Sequence, residues 1–522
     1  MSRRRWLAVA VLLVLALVVR VLFLGDRPPH HDEGVNGWMV ERIRELGYYP
    51  YQPQNFHGPA YFYLLVAARE TFGFGLYELR ITCAVIGAVL CAAPLLLRRR
   101  LGEATSLVAI GVLATSPTLV YYARYAIHET LFAAFGVLVT LSVLRWVASG
   151  RAGWLYVAGA ALAGMIATKE TTILFVGVFG LWLAVETIVE STRARAFVIL
   201  GHSFRRRVLL HALGVLAVMA AIHVVMFTGL FRDPNGVVDA LARSARAYLG
   251  WTEKGTSAGG HEKAWWYYLA LGARYELVLY VLAAIGFVHG IRNRELRCLG
   301  CVGFGLAVLH SAIPYKMPWL PTLWLALLAI PAGRAVVVIA RRFRQRWYAV
   351  AVLASIPALA LAVRASFVKP ADASERLAYA HTSPDYNEWF GLIEAAGQAR
   401  GPANVRVAIA HEVVWPLPWS LEHYARSTTV SGTEDVIIAN PSRAAAIEKK
   451  LDGEYYKRPS GMRNYASPAF IYFRVATFSP WLAHRARDVY SKISIVWSGS
   501  CSSCADAPPS RTSALGHRPR VQ

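Results

Sequence analysis

Residues 1–34, MSRRRWLAVAVLLVLALVVRVLFLGDRPPHHDEG, contain the two features that decide the fold class of this chain. An apolar run from Trp6 to Gly25 follows three arginines, and the acidic motif HHDEG comes at 30–34. A basic start before an apolar run is also typical of a signal peptide, but Arg20 interrupts this run and no small-x-small cleavage site follows. The run therefore predicts a first, uncleaved transmembrane helix.

The composition of the whole chain is that of a membrane protein. Of its 522 residues 56% are apolar and 17% are charged, and the mean hydropathy is +0.38. These values exclude an ordinary cytosolic enzyme, a disordered chain and a coiled coil. The net charge of +23 does not indicate a nucleic-acid partner, because most Lys and Arg lie in short clusters between apolar stretches. The six cysteines match neither a disulfide framework nor a zinc spacing.

Ten further apolar segments are about as long as a helix needs to cross a hydrocarbon core, which is roughly 17 to 25 residues. With the first run they predict about eleven transmembrane helices. The segments are 77–97, 103–120, 129–146, 153–168, 171–189, 208–230, 275–291, 298–313, 321–340 and 347–363. Basic clusters lie in loops on one side, which the positive-inside rule makes cytoplasmic. We therefore expect a multi-pass protein of the inner (cytoplasmic) cell membrane with a cytoplasmic N-terminus.

The pattern divides the chain into three parts. Residues 1–364 are predicted to form a transmembrane domain whose first outer loop is 26–76. In 365–497, strand-like runs at 405–410, 436–439 and 469–475 alternate with helix-like stretches at 384–399 and 442–451. This alternation favours a small α/β domain, and an odd number of spans places it on the extracytoplasmic side. Residues 498–522 lack periodicity and are predicted to be disordered.

The acidic pair Asp32-Glu33 is the first candidate for chemistry. Adjacent carboxylates at a membrane surface are costly unless they face water, a cation or a reacting group. Either acid could instead start the helix predicted over Val35–Leu46, because the positive end of a helix favours an anion. The residues themselves leave both interpretations open.

Other polar residues fall in the outer loops on the same membrane face. They are His57, Arg124, Glu129, Lys169, Glu170 and Lys316. Each one alone is more typical of a snorkelling or hydrogen-bonded side chain than of a binding site. Together they supply carboxylates that could deprotonate a hydroxyl and cations that could neutralise a departing phosphate.

This combination favours an inverting transfer of a sugar from a polyprenyl phosphate, with Asp32 as the general base. In this hypothesis Glu33 and Glu129 orient the donor or acceptor. The phosphate and the rest of the substrate are held by the remaining candidates, namely His57, Arg124, Lys169, Glu170 and Lys316. The expected partners are a polyprenyl-phosphate sugar, membrane lipid and a glycan, lipid or protein acceptor.

At these residues the sequence resembles the membrane glycosyltransferases of the C-type (GT-C) fold, which include protein O-mannosyltransferases and lipid A aminoarabinose transferases. Their first outer loop carries an acidic pair, here Asp32-Glu33, whose leading member is taken as the catalytic base. An Arg followed by an acid matches Arg124 and Glu129, and a Thr-Lys turn matches Thr168-Lys169. The resemblance also implies donor phosphate binding near His-Gly-Pro at 57–59, which is similar to a Lys-Pro-Pro or His-Pro-Pro motif with one proline replaced.

A narrower resemblance is to the flippase-activity-associated family. It rests on HHDEG at 30–34, NFHGP at 55–59, PYKMPWL at 314–320 and WPLPW at 415–419. It implies a GT-C architecture, and the family name implies a link to translocation of lipid-linked sugars. The alternative function is therefore a flippase or a flippase-associated component. A flippase needs a polar route across the membrane, whereas the ionisable residues here stay largely at the outer ends of the spans, which favours a transferase.

Metal and nucleotide motifs are the last feature of the sequence. His-Glu occurs at 128, 261 and 411 without the second histidine of His-Glu-x-x-His, and no Gly-x-x-x-x-Gly-Lys loop is present. A divalent ion, Mg or Mn, held by Asp32, Glu33 and His57 stays an open alternative. The sugar, the acceptor and the oligomeric state are not specified by the residues.

Overall fold

The computed structural model describes residues 1–55, 57–194, 198–199, 202–203, 206–257, 260–464, 467–482 and 491–494. Phe56 of the NFHGP motif and the tail predicted to be disordered at 498–522 lie outside these ranges. The chain divides into two compact units. The first unit contains 1–391, 412–423 and 460–468, and the second contains 392–411, 424–459 and the chain from 469 onward. The first unit therefore takes in segments of the predicted C-terminal domain as well as residues 1–364.

Helices dominate the first unit. In chain order they are α1 Arg3–Val21, α2 His31–Leu46, α3 Pro59–Phe72, α4 Leu76–Leu90, α5 Arg98–Leu101, α6 Glu103–Thr115, α7 Pro117–Tyr122, α8 Glu129–Ser149, α9 Gly153–Ile166, α10 Thr172–Ala194, α11 Arg206–Phe227, α12 Gly236–Ser257, α13 Tyr267–Tyr275, α14 Leu277–His289, α15 Arg294–Ala312, α16 Thr322–Arg342, α17 Trp347–Val363, α18 Tyr386–Arg400 and α19 Leu417–Ser420. Helix α18 crosses the boundary between the units. A two-stranded ribbon, β1 Val198–Ile199 and β2 His202–Ser203, lies between α10 and α11.

Within the described residues seven helices are long and apolar enough to cross a membrane, or eight if the bent pair α13 and α14 is one span. The seven are Leu76–Leu101, Glu129–Ser149, Thr172–Ala194, Val208–Phe227, Arg294–Ala312, Thr322–Arg342 and Trp347–Val368. The prediction of a polytopic helical membrane protein is confirmed, whereas the number eleven is not. Three predicted spans miss this criterion, because α6 and α9 are short and α1 contains several arginines.

The core of the first unit is built around α16. This helix packs against α6, α8, α14 and α15, and most of its side chains are buried. Its contact with α14 is close because Gly286 faces the α16 backbone, where a Cβ atom would lie 1.9 Å from the Pro331 carbonyl oxygen. A bundle packed in this way gives the loops that connect its helices a rigid base.

The second unit contains a six-stranded sheet of order β4-β3-β5-β7-β6-β8. Its elements are β3 Arg406–Ala410, β4 Ala425–Ser427, β5 Val436–Ala439, helix α20 Ala444–Glu448, β6 Glu454–Gly461, β7 Pro468–Arg474, α21 Val475–Leu482 and β8 Ser491–Ser494. Strand β3 is parallel to β4 and β5, and β7 is antiparallel to β5. The sheet confirms the predicted small α/β domain, with strands close to the predicted runs. The side of the membrane on which it lies stays a prediction.

Candidate active site

The acidic motif forms the first turn of α2. His30 is the N-cap residue: its Nδ1 accepts from the Asp32 backbone N–H at 3.0 Å, and the Glu33 carboxylate accepts from the His30 N–H at 2.8 Å. This reciprocal arrangement is a capping box, which satisfies backbone donors at the start of the helix. The His30 Nε2 in turn lies 2.7 Å from the Tyr379 carbonyl. Glu33 therefore starts the helix, and the Asp32 side chain, 39% exposed, is left for another role.

Glu33 is held by a buried arginine. Arg80 donates from Nε and Nη2 to the two carboxylate oxygens at 2.7 Å each, and both side chains are fully buried. The Ala126 N–H also donates to Glu33 at 2.9 Å. Burial alone would raise the pKa of Glu33, but the charge and hydrogen bonds of Arg80 outweigh it and lower this pKa to about 2. Glu33 thus fixes the loop, and the structure does not bring it to the cavity beside Asp32.

That cavity has a volume of about 420 Å³. Its charged lining residues are Asp32, Glu129, Lys169, Lys254 and Arg463. Its other polar and aromatic lining residues include His31, His57, His128, His261, Trp251, Tyr315, Trp319 and Tyr379. Of the predicted site residues, the structure brings together Asp32, His57, Glu129 and Lys169.

The loop that carries His57 reaches this cavity by pairing with the turn between α9 and α10. His57 and Lys169 form an antiparallel bridge, and the Gly58 N–H donates to the Thr168 carbonyl at 3.1 Å. A Cβ atom on Gly58 would lie 2.3 Å from the Ala167 carbonyl oxygen. The departure from the Pro-Pro motif thus has a physical reason, since proline would lack both the donated N–H and the space.

We expect Gly58→Ala to displace the loop that carries His57, because the new methyl group overlaps the Ala167 backbone. Such overpacking costs about 1 to 3 kcal/mol of stability, and sugar transfer should fall with it. Thermal unfolding of the purified protein and the transfer rate measure the two effects. Gly111→Ala is the matched control, because the space around Gly111 is open and no loss is expected there. Equal behaviour of the two variants would contradict the close contact at Gly58.

The ionisation states in the cavity differ between the carboxylate and the imidazoles. Burial acts to raise the pKa of Asp32, but the charges of its neighbours, among them the Lys169 ammonium, lower it below its ordinary value. Burial, with Lys169 as the next cause, lowers the pKa of His57 to about 3. At neutral pH the cavity therefore combines an ionised carboxylate with neutral imidazole, which is the state a general base requires.

Opposite charges are paired on another part of the wall. Lys169 Nζ donates to a carboxylate oxygen of Glu129, and both side chains are buried. The ring of the neighbouring His128 contacts that of His57 in a tilted arrangement, with ring centroids 4.2 Å apart and an interplanar angle of 40°. The ion pair holds the Lys169 ammonium in a fixed position on the cavity wall, and the Glu129 carboxylate partly neutralises its charge.

Glu170 follows Lys169 but is not a lining residue of the cavity. The Tyr51 hydroxyl donates to its Oε1 at 2.8 Å, and its buried Oε2 has no partner among the described residues. Burial is the main cause that raises the pKa of Glu170 from 4.5 to about 7. A carboxyl group in such a place favours its neutral, protonated form.

We expect the free energy of unfolding to reflect this raised pKa. Between about pH 4.5 and 7 the unfolded state loses the Glu170 proton while the folded state keeps it, so this contribution to stability is lost as the pH rises. Glu170→Gln should therefore raise stability at pH 8, by at most about 3 kcal/mol, and change little near pH 4.5. Thermal unfolding at both pH values tests this. A variant that is destabilised at pH 8 would indicate an ionised, paired Glu170 instead.

The side chains of Arg124 and Lys316 donate hydrogen bonds to backbone carbonyls in this structure. Arg124 Nη1 donates to the carbonyls of Val19, Arg20 and Leu22 at 3.0, 3.1 and 2.7 Å, which satisfies acceptors at the C-terminal end of α1. Lys316 Nζ donates to the carbonyl of Ile313. The structure places neither side chain on the cavity wall.

Several polar lining residues were not among the predicted site residues, and Lys254, His261 and Arg463 are three of them. The sequence contained a signal for Lys254. Trp251 and Lys254 are three residues apart on amphipathic α12, so both can reach one side of that helix. Arg463 comes from the C-terminal segment 460–468, and its position in the sequence carries no such signal.

The sequence left open a divalent metal ion held by Asp32, Glu33 and His57. Within the described ranges no group of three or more His, Cys, Asp or Glu side chains is arranged to hold a metal ion. Glu33, one of the three predicted ligands, binds Arg80. Asp32 and His57 remain together on the cavity wall.

Comparisons with known proteins agree with the predicted fold. Residues 56–204 match the family model described as Dolichyl-phosphate-mannose-protein mannosyltransferase. No curated protein matches the chain. The fold is similar to that of ArnT from Cupriavidus metallidurans bound to undecaprenyl phosphate, with a TM-score of 0.62, 15% identity, and coverage of 90% of this chain and 98% of that one.

A second similar structure is the oligosaccharyltransferase of Archaeoglobus fulgidus in complex with Zn and sulfate. Its TM-score is 0.53 at 12% identity, and the match covers 86% of this chain and 72% of that one. At these identities the likeness establishes the fold, and the predicted GT-C architecture is confirmed. The matching family and the similar structures are glycosyltransferases, as the sequence predicted. The narrower resemblance to flippase-activity-associated proteins stays a prediction.

Proposed function

We propose that this protein transfers a sugar from a polyprenyl-phosphate donor to an acceptor on the extracytoplasmic face of the cell membrane, with Asp32 as the general base. One observation carries the proposal: a partly exposed carboxylate shares a cavity of about 420 Å³ with Lys169, Lys254 and neutral imidazoles. Such a cavity offers a base for a hydroxyl and cations for a phosphate in one place.

The reaction follows from these groups. The acceptor hydroxyl transfers its proton to Asp32 while its oxygen attacks the anomeric carbon of the donor sugar. The bond between that carbon and the phosphate oxygen breaks, and the polyprenyl phosphate leaves with the electron pair. Lys169 and Lys254 stabilise the charge that develops on the phosphate. A single displacement of this kind inverts the configuration at the anomeric carbon.

The comparisons support the donor class. The similar structure of ArnT is bound to undecaprenyl phosphate, and the matching family is described by dolichyl-phosphate-mannose. Both names contain a polyprenyl-type monophosphate, which is the lipid carrier of the donor proposed for this chain. The basic clusters between the spans support an inner-membrane protein with its N-terminus in the cytoplasm and the Asp32 loop outside.

The test is a donor panel. The solubilised protein is mixed with polyprenyl-phosphate sugars and extracted cell acceptors, and mass spectrometry detects free polyprenyl phosphate. Parallel samples contain EDTA, Mg²⁺ or Mn²⁺, which shows whether a divalent ion takes part. Release of polyprenyl phosphate by the protein is the expected result and identifies the sugar. No release, together with movement of labelled lipid-linked sugar between the leaflets of liposomes, would overturn the proposal in favour of a flippase.

A further inference from the structure

A C-terminal arginine reaches the wall of the cavity next to the acidic motif. Segment 460–468 belongs to the first unit, and its Arg463 lines the cavity together with His31 and Asp32. Arg463 Nη2 lies 2.5 Å from His31 Nδ1, and its Nη1 donates to the Trp415 carbonyl at 3.0 Å and to the Met462 carbonyl at 3.5 Å. His31 is the one residue of the His-His-Asp-Glu tetrad to which the proposed reaction and the helix cap assign no role.

The contact determines which ring nitrogen of His31 carries the proton. A guanidinium group has only N–H donors and keeps its charge at every physiological pH. His31 Nδ1 must therefore be the acceptor, and a neutral imidazole then carries its proton on Nε2. A protonated ring would direct an N–H of its own against the guanidinium. Burial, which lowers the pKa of His31 to about 4, agrees with the neutral form.

The Nε2–H group of His31 is available for a substrate. His31 is a lining residue of the cavity and is only partly buried. Among the residues that the structure describes, the ring of His31 makes one hydrogen-bond contact, with Arg463. A donor directly beside the general base would contact the group that reacts there.

We propose that His31 is a further substrate-contacting residue, whose Nε2–H donates to an oxygen of the bound substrate, and that Arg463 is a positioning residue that selects this tautomer. The inference rests on the proposed transferase function. The oxygen belongs either to the lipid-linked donor or to the acceptor. The two sources differ in which substrate loses apparent affinity when the hydrogen bond is removed.

Two replacements of His31 separate the nitrogen positions. Glutamine places its amide nitrogen near the position of Nε2, whereas asparagine reaches only that of Nδ1. We expect His31→Asn to lower kcat/KM about 10- to 100-fold, the range for a lost hydrogen bond to a charged or polar group, and His31→Gln to keep most of the activity. A rise in the KM of the donor or of the acceptor identifies the substrate that supplies the oxygen.

Arg463→Gln is then measured in two backgrounds. In the native chain it should lower kcat/KM measurably but by less than His31→Asn, because the ring loses the contact that fixes its tautomer and orientation while part of the population keeps an Nε2–H. In the His31→Gln background it should have little further effect, because the amide donor does not depend on Arg463. Arg443→Gln, at an exposed arginine of the C-terminal region, is the matched control and should leave kcat/KM unchanged.

A spectroscopic measurement tests the tautomer without turnover. In protein labelled with ¹⁵N-histidine, the signals lost in His31→Gln identify His31, and they should show a non-protonated Nδ1 that changes in Arg463→Gln. Equal losses from Arg463→Gln in both backgrounds, or a protonated Nδ1, would overturn the inference and leave Arg463 a structural residue. If the wild-type protein releases no polyprenyl phosphate while the tautomer is as expected, the proposed function fails and the positioning role of Arg463 stands.

Discussion

Replacement of Asp32 by asparagine is expected to lower the rate of sugar transfer about 10²- to 10⁴-fold, which is the usual contribution of a general base. Asparagine has nearly the same shape, but it cannot take the proton of the acceptor hydroxyl. The backbone of residue 32 keeps its bond to His30 Nδ1, so α2 should start as before. The measurement is single-turnover release of polyprenyl phosphate from the donor that the panel identifies.

A control variant is needed to show that the loss of transfer activity in Asp32→Asn does not come from misfolding. Asp372→Asn is the matched control, because Asp372 is an exposed acid of the first unit and lies outside the cavity lining. Both variants should unfold at the temperature of the wild type. Wild-type turnover by Asp32→Asn would remove Asp32 as the base.

Replacement of Arg80 by alanine is expected to have the largest effect on stability, about 3 to 5 kcal/mol, since it leaves a buried carboxylate without its partner. Arg80 binds both oxygens of Glu33 and also donates to the carbonyls of Leu24, Arg27 and Pro28 at 2.8 to 3.1 Å. These contacts hold the segment that leads into the acidic motif. Transfer activity should therefore fall together with the midpoint of thermal unfolding in detergent.

An exposed ion pair on α2 provides the comparison. Arg42 and Glu45 lie 2.9 Å apart with side chains 48% and 57% exposed. Exposed pairs contribute about 0 to 1 kcal/mol, so Arg42→Ala should melt close to the wild type. If Arg80→Ala has the same midpoint of thermal unfolding as Arg42→Ala, the buried pair of Arg80 and Glu33 does not hold the segment that leads into the acidic motif.

These two predictions follow from the different roles of the adjacent acids Asp32 and Glu33. Successive residues of a helix point about 100° apart, since an α-helix has 3.6 residues per turn. Glu33 therefore turns toward Arg80 while Asp32 faces the cavity. A motif of two acids thus provides both a candidate base and the anchor that keeps the base in place.

The sequence named four residues that the structure brings to one cavity, and the reason is local. Glu129 and Lys169 lie at the ends of predicted apolar segments, and Asp32 and His57 lie in the loop between the first two, so the order of the segments placed all four on one predicted face. For Arg124 and Lys316 the same argument placed the backbone but not the side chain. Whether a cation near a helix end binds a substrate or a carbonyl depends on which carbonyls lie within reach.

By itself the sequence determined that this chain is a polytopic helical membrane protein with a small α/β unit, because apolar length and strand alternation are properties of neighbouring residues. The GT-C fold was implied by the resemblance of its motifs to a known family. Only the tertiary structure decided which polar groups share the cavity. His31 and Arg463 are 432 residues apart in the chain, and Glu33 and Arg80 are 47 apart. Contacts between residues so far apart in the chain arise from packing, which brings together side chains that no spacing in the sequence relates.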